Sequence, residues 1–247
     1  MEIELVTVKL RTQQRQWNHL GQVDPFWAIL SDPRKRHGGW SADEFFATGR
    51  DEVRDLMRKL EGMGHPKSRS AALDFGCGVG RLTIALTEWF DTVTGIDIAP
   101  SMIEAARRLS LANGRCQFLL NDSSDLSLLR PDGFDLIYSN IVLQHIPEKY
   151  ARSYIAEFIR VLRPGGIAVF QAPSKLRSRS RVSRFGYRLN LFLRRRIRRD
   201  PFVLEMYGVP RETVEDDLAN AGATLLQACP DQSARPEWDG YRYFVTK

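Results

Sequence analysis

Three kinds of residue in the middle of this chain are equipped for chemistry: a run of glycines, two aspartates and a histidine. Gly76, Gly78 and Gly80 stand at alternate positions in the stretch from Asp74 to Gly80. Such a bend lets backbone amides approach a ligand closely where a Cβ would obstruct them. Asp97 follows Gly80 by seventeen positions. In nucleotide-binding folds, a carboxylate about 20 residues past the glycine turn accepts hydrogen bonds from ribose hydroxyls. His145 is one of four histidines, with His19, His37 and His65, and an imidazole can take a proton near neutral pH. Together these residues suggest a nucleoside site beside a proton acceptor.

The elements needed to position them are legible around the glycines. Ser70 to Phe75 form a short apolar run of buried-strand length, and Leu82, Ala85, Leu86 and Trp89 then fall at helical spacing. Strand, glycine turn and helix open a βαβ unit. Thr92 to Ile96 give a second strand that ends on Asp97. A dinucleotide fingerprint wants G-x-G-x-x-G and a pyrophosphate at the helix N-terminus. Here the spacing is G-x-G-x-G, with Asp74 at the strand end. A carboxylate there would repel a pyrophosphate and suits a ligand that carries an ammonium and a sulfonium, which is S-adenosylmethionine (SAM). Asp97 serves NAD and SAM equally.

Five stretches in order carry a family resemblance: 73–82 (LDFGCGVGRL), 93–107 (VTGIDIAPSMIEAAR), 121–126 (NDSSDL), 134–146 (FDLIYSNIVLQHI) and 161–170 (VLRPGGIAVF). Over about 71–170 the chain resembles the class I SAM-dependent methyltransferases. The resemblance implies an α/β, Rossmann-like sheet of seven mostly parallel strands, the last antiparallel, with helices on both faces. It implies SAM contacts from Asp74, Gly76, Cys77, Gly78, Asp97, Ile98 and Met102, with the Asp122 carboxylate on the adenine amino group and Ser123 facing the ring. Asn140 would order the loop on the SAM side. An arginine ahead of the first strand would meet the methionine carboxylate, and Arg50 is the best-placed candidate; a guanidinium fork suits that group.

Residues 1–66 are read as an N-terminal lid and 67–247 as the SAM-binding domain, with a basic cap inserted at 173–209. Met1 to Leu10 alternate apolar and polar residues, as in an edge strand or a loose leader. Val53, Leu56, Met57 and Leu60 make a helical stripe. Ser101 and Glu104 have the spacing of a capping box, ahead of a buried face of Met102, Ala105, Ala106 and Leu109. Third and fourth strands are expected at 115–120 and 134–139, a helix at 148–162, and a fifth strand at 167–171. A helix at 210–222 and strands at 224–228 and 241–245 complete the chain.

In an open parallel sheet, ligands bind outside the carboxyl ends of the strands. Segments leaving the fourth, fifth and sixth strands therefore belong to the reactive edge, and His145 is the histidine that this rule places there. It is the candidate base, with a local role in ordering its loop as the other reading. From Ser174 to Asp200 there are ten arginines and one lysine against a single acid, while the formal net charge of the whole chain is +6. Val182, Phe185, Leu189, Phe192 and Ile197 approximate a helical stripe within this stretch. It reads first as a cap over the acceptor site, second as a membrane-surface helix over 181–199, and third as a phosphate-binding face for RNA.

Composition places the chain among soluble globular proteins, with 43% hydrophobic and 27% charged residues. Cys77, Cys116 and Cys229 are scattered, without a C-x-x-C pair. They suit a reducing, cytoplasmic setting, and no metal-ligand spacing is present. The expected activity is O-methylation of a hydroxyl or carboxyl on a small molecule, a glycan or a lipid-linked acceptor, which the basic stretch would favour if anionic. The rival readings are an RNA methyltransferase, a SAM-binding regulator without turnover, and an NAD-dependent oxidoreductase, the last disfavoured by Asp74 and the glycine spacing.

Overall fold

The computed structural model describes residues 2–110, 114–177, 204–234 and 236–247, with side chains described from Leu10 onward. The arginine-rich helix expected over 181–199 lies outside the described residues. Seven strands form one sheet: β1 (Ala71–Phe75), β2 (Thr92–Asp97), β3 (Cys116–Leu120), β4 (Phe134–Ser139), β5 (Leu162–Leu176), β6 (Thr224–Pro230) and β7 (Trp238–Thr246). Their order is β3-β2-β1-β4-β5-β7-β6. β1 to β5 run parallel, and β7 is antiparallel to both β5 and β6. The expected architecture is present, and the reversed strand sits between β5 and β6.

Two helices, α1 (Glu2–Val23) and the short α2 (Pro25–Ile29), precede the part of the chain that packs on the sheet. The central strands are buried on both faces, which is why they read as continuous apolar runs. On one face, α3 (Ala42–Gly62) and α4 (Arg81–Leu86) pack Val53, Met57, Leu60 and Leu86 against Ala72, Leu136, Val169 and Phe244. On the other, α6 (Glu148–Val161) and α7 (Arg211–Asn220) pack Tyr154, Phe158, Val214 and Leu218 against Leu73, Ile137, Phe170 and Tyr243. Phe170 and Tyr243 stack at 5.1 Å.

Four local expectations are corrected. The first residues form helix α1, where an edge strand or leader was expected. Its inward side comes round at helical intervals through Leu10, Gln13, Trp17 and Leu20. Asn18 anchors it to α5 (Pro100–Leu109) by accepting from the Ser101 amide at 2.9 Å and, through its carbonyl, from the Ser101 hydroxyl at 2.8 Å. That hydroxyl is consequently engaged outside its own helix, and the capping box expected at Ser101 and Glu104 does not form; Pro100 starts α5 instead. A capping box does form at α3, between Ser41 and Glu44. Within α5, Leu109 is 38% exposed and Ile103 takes the expected place in the core. Finally, β5 extends well beyond 167–171, because β7 pairs with it as far as Leu176.

No helix among the described residues is long and apolar enough to cross a membrane. Among the same residues, no group of three or more His, Cys, Asp and Glu side chains is placed to hold a metal.

Candidate functional site

The carboxyl ends of β1, β2 and β4 border a cavity of about 400 Å³. The glycine turn forms part of its wall. Gly76 and Gly78 have φ of +78° and +53°, backbone that side chains rarely tolerate. A Cβ on Gly76 would come within 2.3 Å of Val142, and one on Gly78 within 2.5 Å of Ile29. The amides of Gly76 and Cys77 both donate to the Ile96 carbonyl, at 2.8 and 2.9 Å, fastening the turn to β2.

Asp97 is held in the same place from the other side. Its Oδ2 accepts from the Gly78 amide at 2.9 Å and its Oδ1 from the Ala99 amide at 2.8 Å. Each oxygen keeps a further lone pair for a ligand hydroxyl. Burial pushes its pKa up, and the amide hydrogen bonds oppose that rise. Of the residues expected at the cofactor, Gly76, Cys77, Gly78, Asp97, Ile98, Met102 and Asn140 line the cavity, as does His145.

Arg50, Asp74, Asp122 and Ser123 do not line it. Asp74 is 1% exposed and lies behind the glycine turn, where its Oδ2 accepts from the Thr83 hydroxyl at 2.6 Å. It ties β1 to α4 from inside the core. Burial pushes its pKa up to about 7, with the Thr83 hydrogen bond pulling the other way. Asp97 is therefore the carboxylate that faces the cavity, in the place expected of Asp74. Arg50 is exposed on α3. Asp122 is exposed and Ser123 turns its hydroxyl to Asp125 at 3.0 Å. One residue earlier, Asn121 is buried on the cavity wall, with its side-chain amide donating to the Asp125 carbonyl at 3.0 Å.

Among the described residues, the arginine on the wall is Arg81, at the start of α4. Its side chain is 5% exposed and pairs with Glu52 of α3 at 2.7 Å, and its Nη1 donates to the Thr48 hydroxyl at 3.3 Å. Its Nε is buried without a protein partner. Glu52 is the centre of a polar hub. Tyr138 and Asn140 donate to its Oε1 at 2.8 and 2.7 Å. Arg242 of β7 donates to the Tyr138 and Asn140 oxygens at 3.2 and 3.1 Å, and to Asp231 at 2.8 Å. Burial first, and then the Glu52 carboxylate, push the Tyr138 pKa far up, so the phenol stays a donor. The sequence gives little warning of this hub, because its members are distant in the chain and, as charged residues, are expected at the surface.

His145 lies in a short 3₁₀ turn, Leu143–His145, after β4. Its Nδ1 is 3.3 Å from the Glu205 carbonyl and its Nε2 is 3.0 Å from Gln144 Nε2. A carbonyl can only accept, so the proton sits on Nδ1 and the lone pair on Nε2. Gln144 must then present its NH₂ to that lone pair, which directs its Oε1 elsewhere. This Oε1 is buried without a protein partner. Trp17 of α1 meets the imidazole edge-on at 5.3 Å.

Residues 72–166 match the family described as Methyltransferase domain. The chain is 36% identical over 118 residues to a malonyl-[acyl-carrier protein] O-methyltransferase of Serratia marcescens, covering 47% of this chain and 44% of that protein. It is 34% identical to a ubiquinone biosynthesis O-methyltransferase of Xanthomonas euvesicatoria, covering 60% of this chain and 59% of the other. The chain thus spans about half the length of the curated relatives it matches. Among solved structures, magnesium protoporphyrin IX methyltransferase from Synechocystis PCC 6803 with bound SAH superposes over 96% of this chain and 99% of its own. The TM-score is 0.66 at 18% identity, a likeness of fold.

Proposed function

Since the chain belongs to the class I SAM-dependent methyltransferases, we propose that it transfers a methyl group from SAM to an oxygen of a small-molecule acceptor. The observation that carries this reading is the mutual clamp of Asp97 and the glycine turn on the cavity wall. The residues present fit the cofactor. Asp97 offers lone pairs to ribose hydroxyls, Gly76 and Gly78 allow close backbone approach, and Arg81 Nε offers a donor to the methionine carboxylate. Asn121 takes the place at the base end that was expected of Asp122 and Ser123. The bound cofactor supplies a sulfonium methyl group for in-line displacement.

The protein's share is alignment, exclusion of water and removal of a proton. Alignment alone can supply several kcal/mol, since effective molarities reach about 10⁵ M or more. Residues 1–66 act as a lid, contributing Leu10, Trp17 and Ile29 to the wall. His145 is assigned as the base through Nε2, which the Gln144 amide must release when the acceptor hydroxyl arrives. A positioned base contributes roughly 10²–10⁴-fold. Two measurements test this reading. Calorimetry should show binding of SAM and none of NAD. Substituting His145 by Ala should lower turnover by about that factor while SAM affinity holds; equal turnover removes the base assignment, and failure to bind SAM removes the function.

A further inference from the structure

The loop that carries His145 is held from outside. It leaves β4 through Ile141, whose φ of +63° is left-handed backbone that a β-branched side chain tolerates poorly. Such a conformation persists where the surrounding structure fixes it. The 3₁₀ turn that follows is too short to satisfy its own last carbonyls. Those of Val142 and Leu143 accept from the His145 and Ile146 amides, at 2.9 and 3.1 Å. That of Gln144 accepts from the Tyr207 amide at 2.8 Å. The carbonyl of His145 itself accepts from the side-chain amide of Gln13, on α1.

Helix α1 also reaches the imidazole and the segment behind Asp97. Trp17, one turn on from Gln13, meets the imidazole edge-on at 5.3 Å, and both residues line the cavity. Gln14 donates to the Ile98 carbonyl at 3.2 Å. Asn18 accepts from the Ser101 amide and hydroxyl, at 2.9 and 2.8 Å. Gly21 permits this close crossing, since a Cβ there would come within 2.4 Å of the Ser101 hydroxyl. Asp97 grips the same segment through the Ala99 amide at 2.8 Å. One helix therefore bridges the cavity, from the segment behind Asp97 to the turn that holds His145.

We propose that Gln13 is a positioning residue for His145, and that α1 passes the state of the cofactor segment to the base through it. This rests on the methyl-transfer reading above, with His145 as the base, and adds what keeps that base ready. With its carbonyl held, the turn keeps the imidazole between the Glu205 carbonyl, 3.3 Å from Nδ1, and the Gln144 amide, 3.0 Å from Nε2. That placement puts the proton on Nδ1 and the lone pair on Nε2. A neutral imidazole free in water favours the opposite tautomer, so a slackened turn places a proton where the acceptor's proton must go. Docking of α1 on the cofactor segment and readiness of the base are then one event.

The test uses the whole protein with its four histidines labelled with ¹⁵N, at about pH 8.5, well above the ordinary imidazole pKa. Ring nitrogen shifts distinguish the two tautomers, and the His145 signals are those lost in His145→Gln. The wild-type ring should be protonated chiefly on Nδ1. Gln13→Met removes the donor at nearly the same volume. It should lower the ratio of Nδ1–H to Nε2–H at least fivefold while SAH still binds in calorimetry, which shows that the variant is folded. Gln13→Lys returns a donor and should bring the ratio back to within twofold of wild type. Asn18→Ala, on the cofactor side of the helix, should lower the ratio at least twofold in the free protein, and saturating SAH should restore it. An unchanged ratio in Gln13→Met, no recovery in Gln13→Lys, or a wild-type ring protonated on Nε2 would overturn the role of Gln13. An unchanged ratio in Asn18→Ala, or a lowered one that SAH fails to restore, would overturn transmission through α1. Failure of the wild-type protein to bind SAH would instead overturn the methyl-transfer reading, and turnover that survives His145→Ala would remove the base assignment.

Discussion

Replacing Asp74 by Asn separates the two aspartates that flank the glycine turn. Asp74 is 1% exposed and has one side-chain partner, the Thr83 hydroxyl at 2.6 Å. Its pKa rises from 3.8 to about 7, chiefly through burial. Between those values the unfolded chain has lost the proton while the folded chain keeps it. The folded state therefore binds more protons, and stability falls as pH rises through the window. Below about pH 4 both states are protonated and above about pH 7 both are ionised, so the contribution is flat outside it. A rise of that size corresponds to about 4 kcal/mol across the window. Asn is neutral throughout, and its carbonyl still accepts from Thr83. Urea unfolding at pH 4, 5.5, 7 and 8 should thus show wild-type stability declining toward pH 8 by an amount of that order relative to the variant. SAM affinity should change less than about threefold, since no atom of Asp74 faces the cavity. Parallel pH profiles would show that burial does not hold the proton on Asp74. A collapse of SAM affinity would return the carboxylate to the ligand.

Three further substitutions probe the wall itself. Asp97→Ala removes the acceptor of the Gly78 and Ala99 amides and the one proposed for the ribose hydroxyls, so calorimetry should show SAM binding weaker by about 1.5–3 kcal/mol or more; unchanged affinity removes Asp97 from the site. Arg81→Met strands part of Glu52, which keeps its bonds from Tyr138 and Asn140. The expected loss is near 3 kcal/mol, the low end for a buried pair, measured as a lower urea midpoint at constant slope; a change below about 1 kcal/mol would mean the pair carries little. Arg50→Ala touches an exposed side chain and should leave stability within about 0.5 kcal/mol and SAM affinity unchanged, whereas a tenfold weaker Kd would restore Arg50 as the carboxylate partner.

The parts of the fold that were legible share one property: their cause is local. β1 and β4 read as apolar runs because central strands of a parallel sheet are buried on both faces. The glycine turn announces itself because a left-handed backbone needs glycine. What escaped depends on partners brought from elsewhere. Helix α1 hides its inward face behind Gln13, whose polar side chain breaks the apolar pattern even though its amide donates to the His145 carbonyl. Asn121 and Asp122 differ by a single position, and only the direction in which the chain leaves β3 decides which of them turns inward. The sequence pointed to Arg50, ahead of β1, whereas the arginine that lines the cavity among the described residues is Arg81, held there by its pairing with Glu52 from α3, and nothing local to either arginine carries that information.

That pairing also explains how an N-terminal segment can belong to the site of a domain that begins after it. A guanidinium buried against a cavity needs a counter-charge, and Glu52 supplies it from α3 on the sheet's flank. The same carboxylate accepts from Tyr138 and Asn140 at the end of β4. Arg242 reaches those two residues from β7 and holds Asp231 in the segment after β6. Close by along that segment, Ser233 and Ala234 join the cavity wall. One half-buried acid thus fixes Arg81 at the start of α4, the asparagine at the end of β4 and, through the residues Arg242 holds, the segment after β6. Removing its charge would leave the buried Arg81 guanidinium without its counter-charge. A hydrophobic replacement, often harmless for an isolated buried pair, is therefore the wrong comparison here: the acid's value lies in holding three separate walls of one cavity in register.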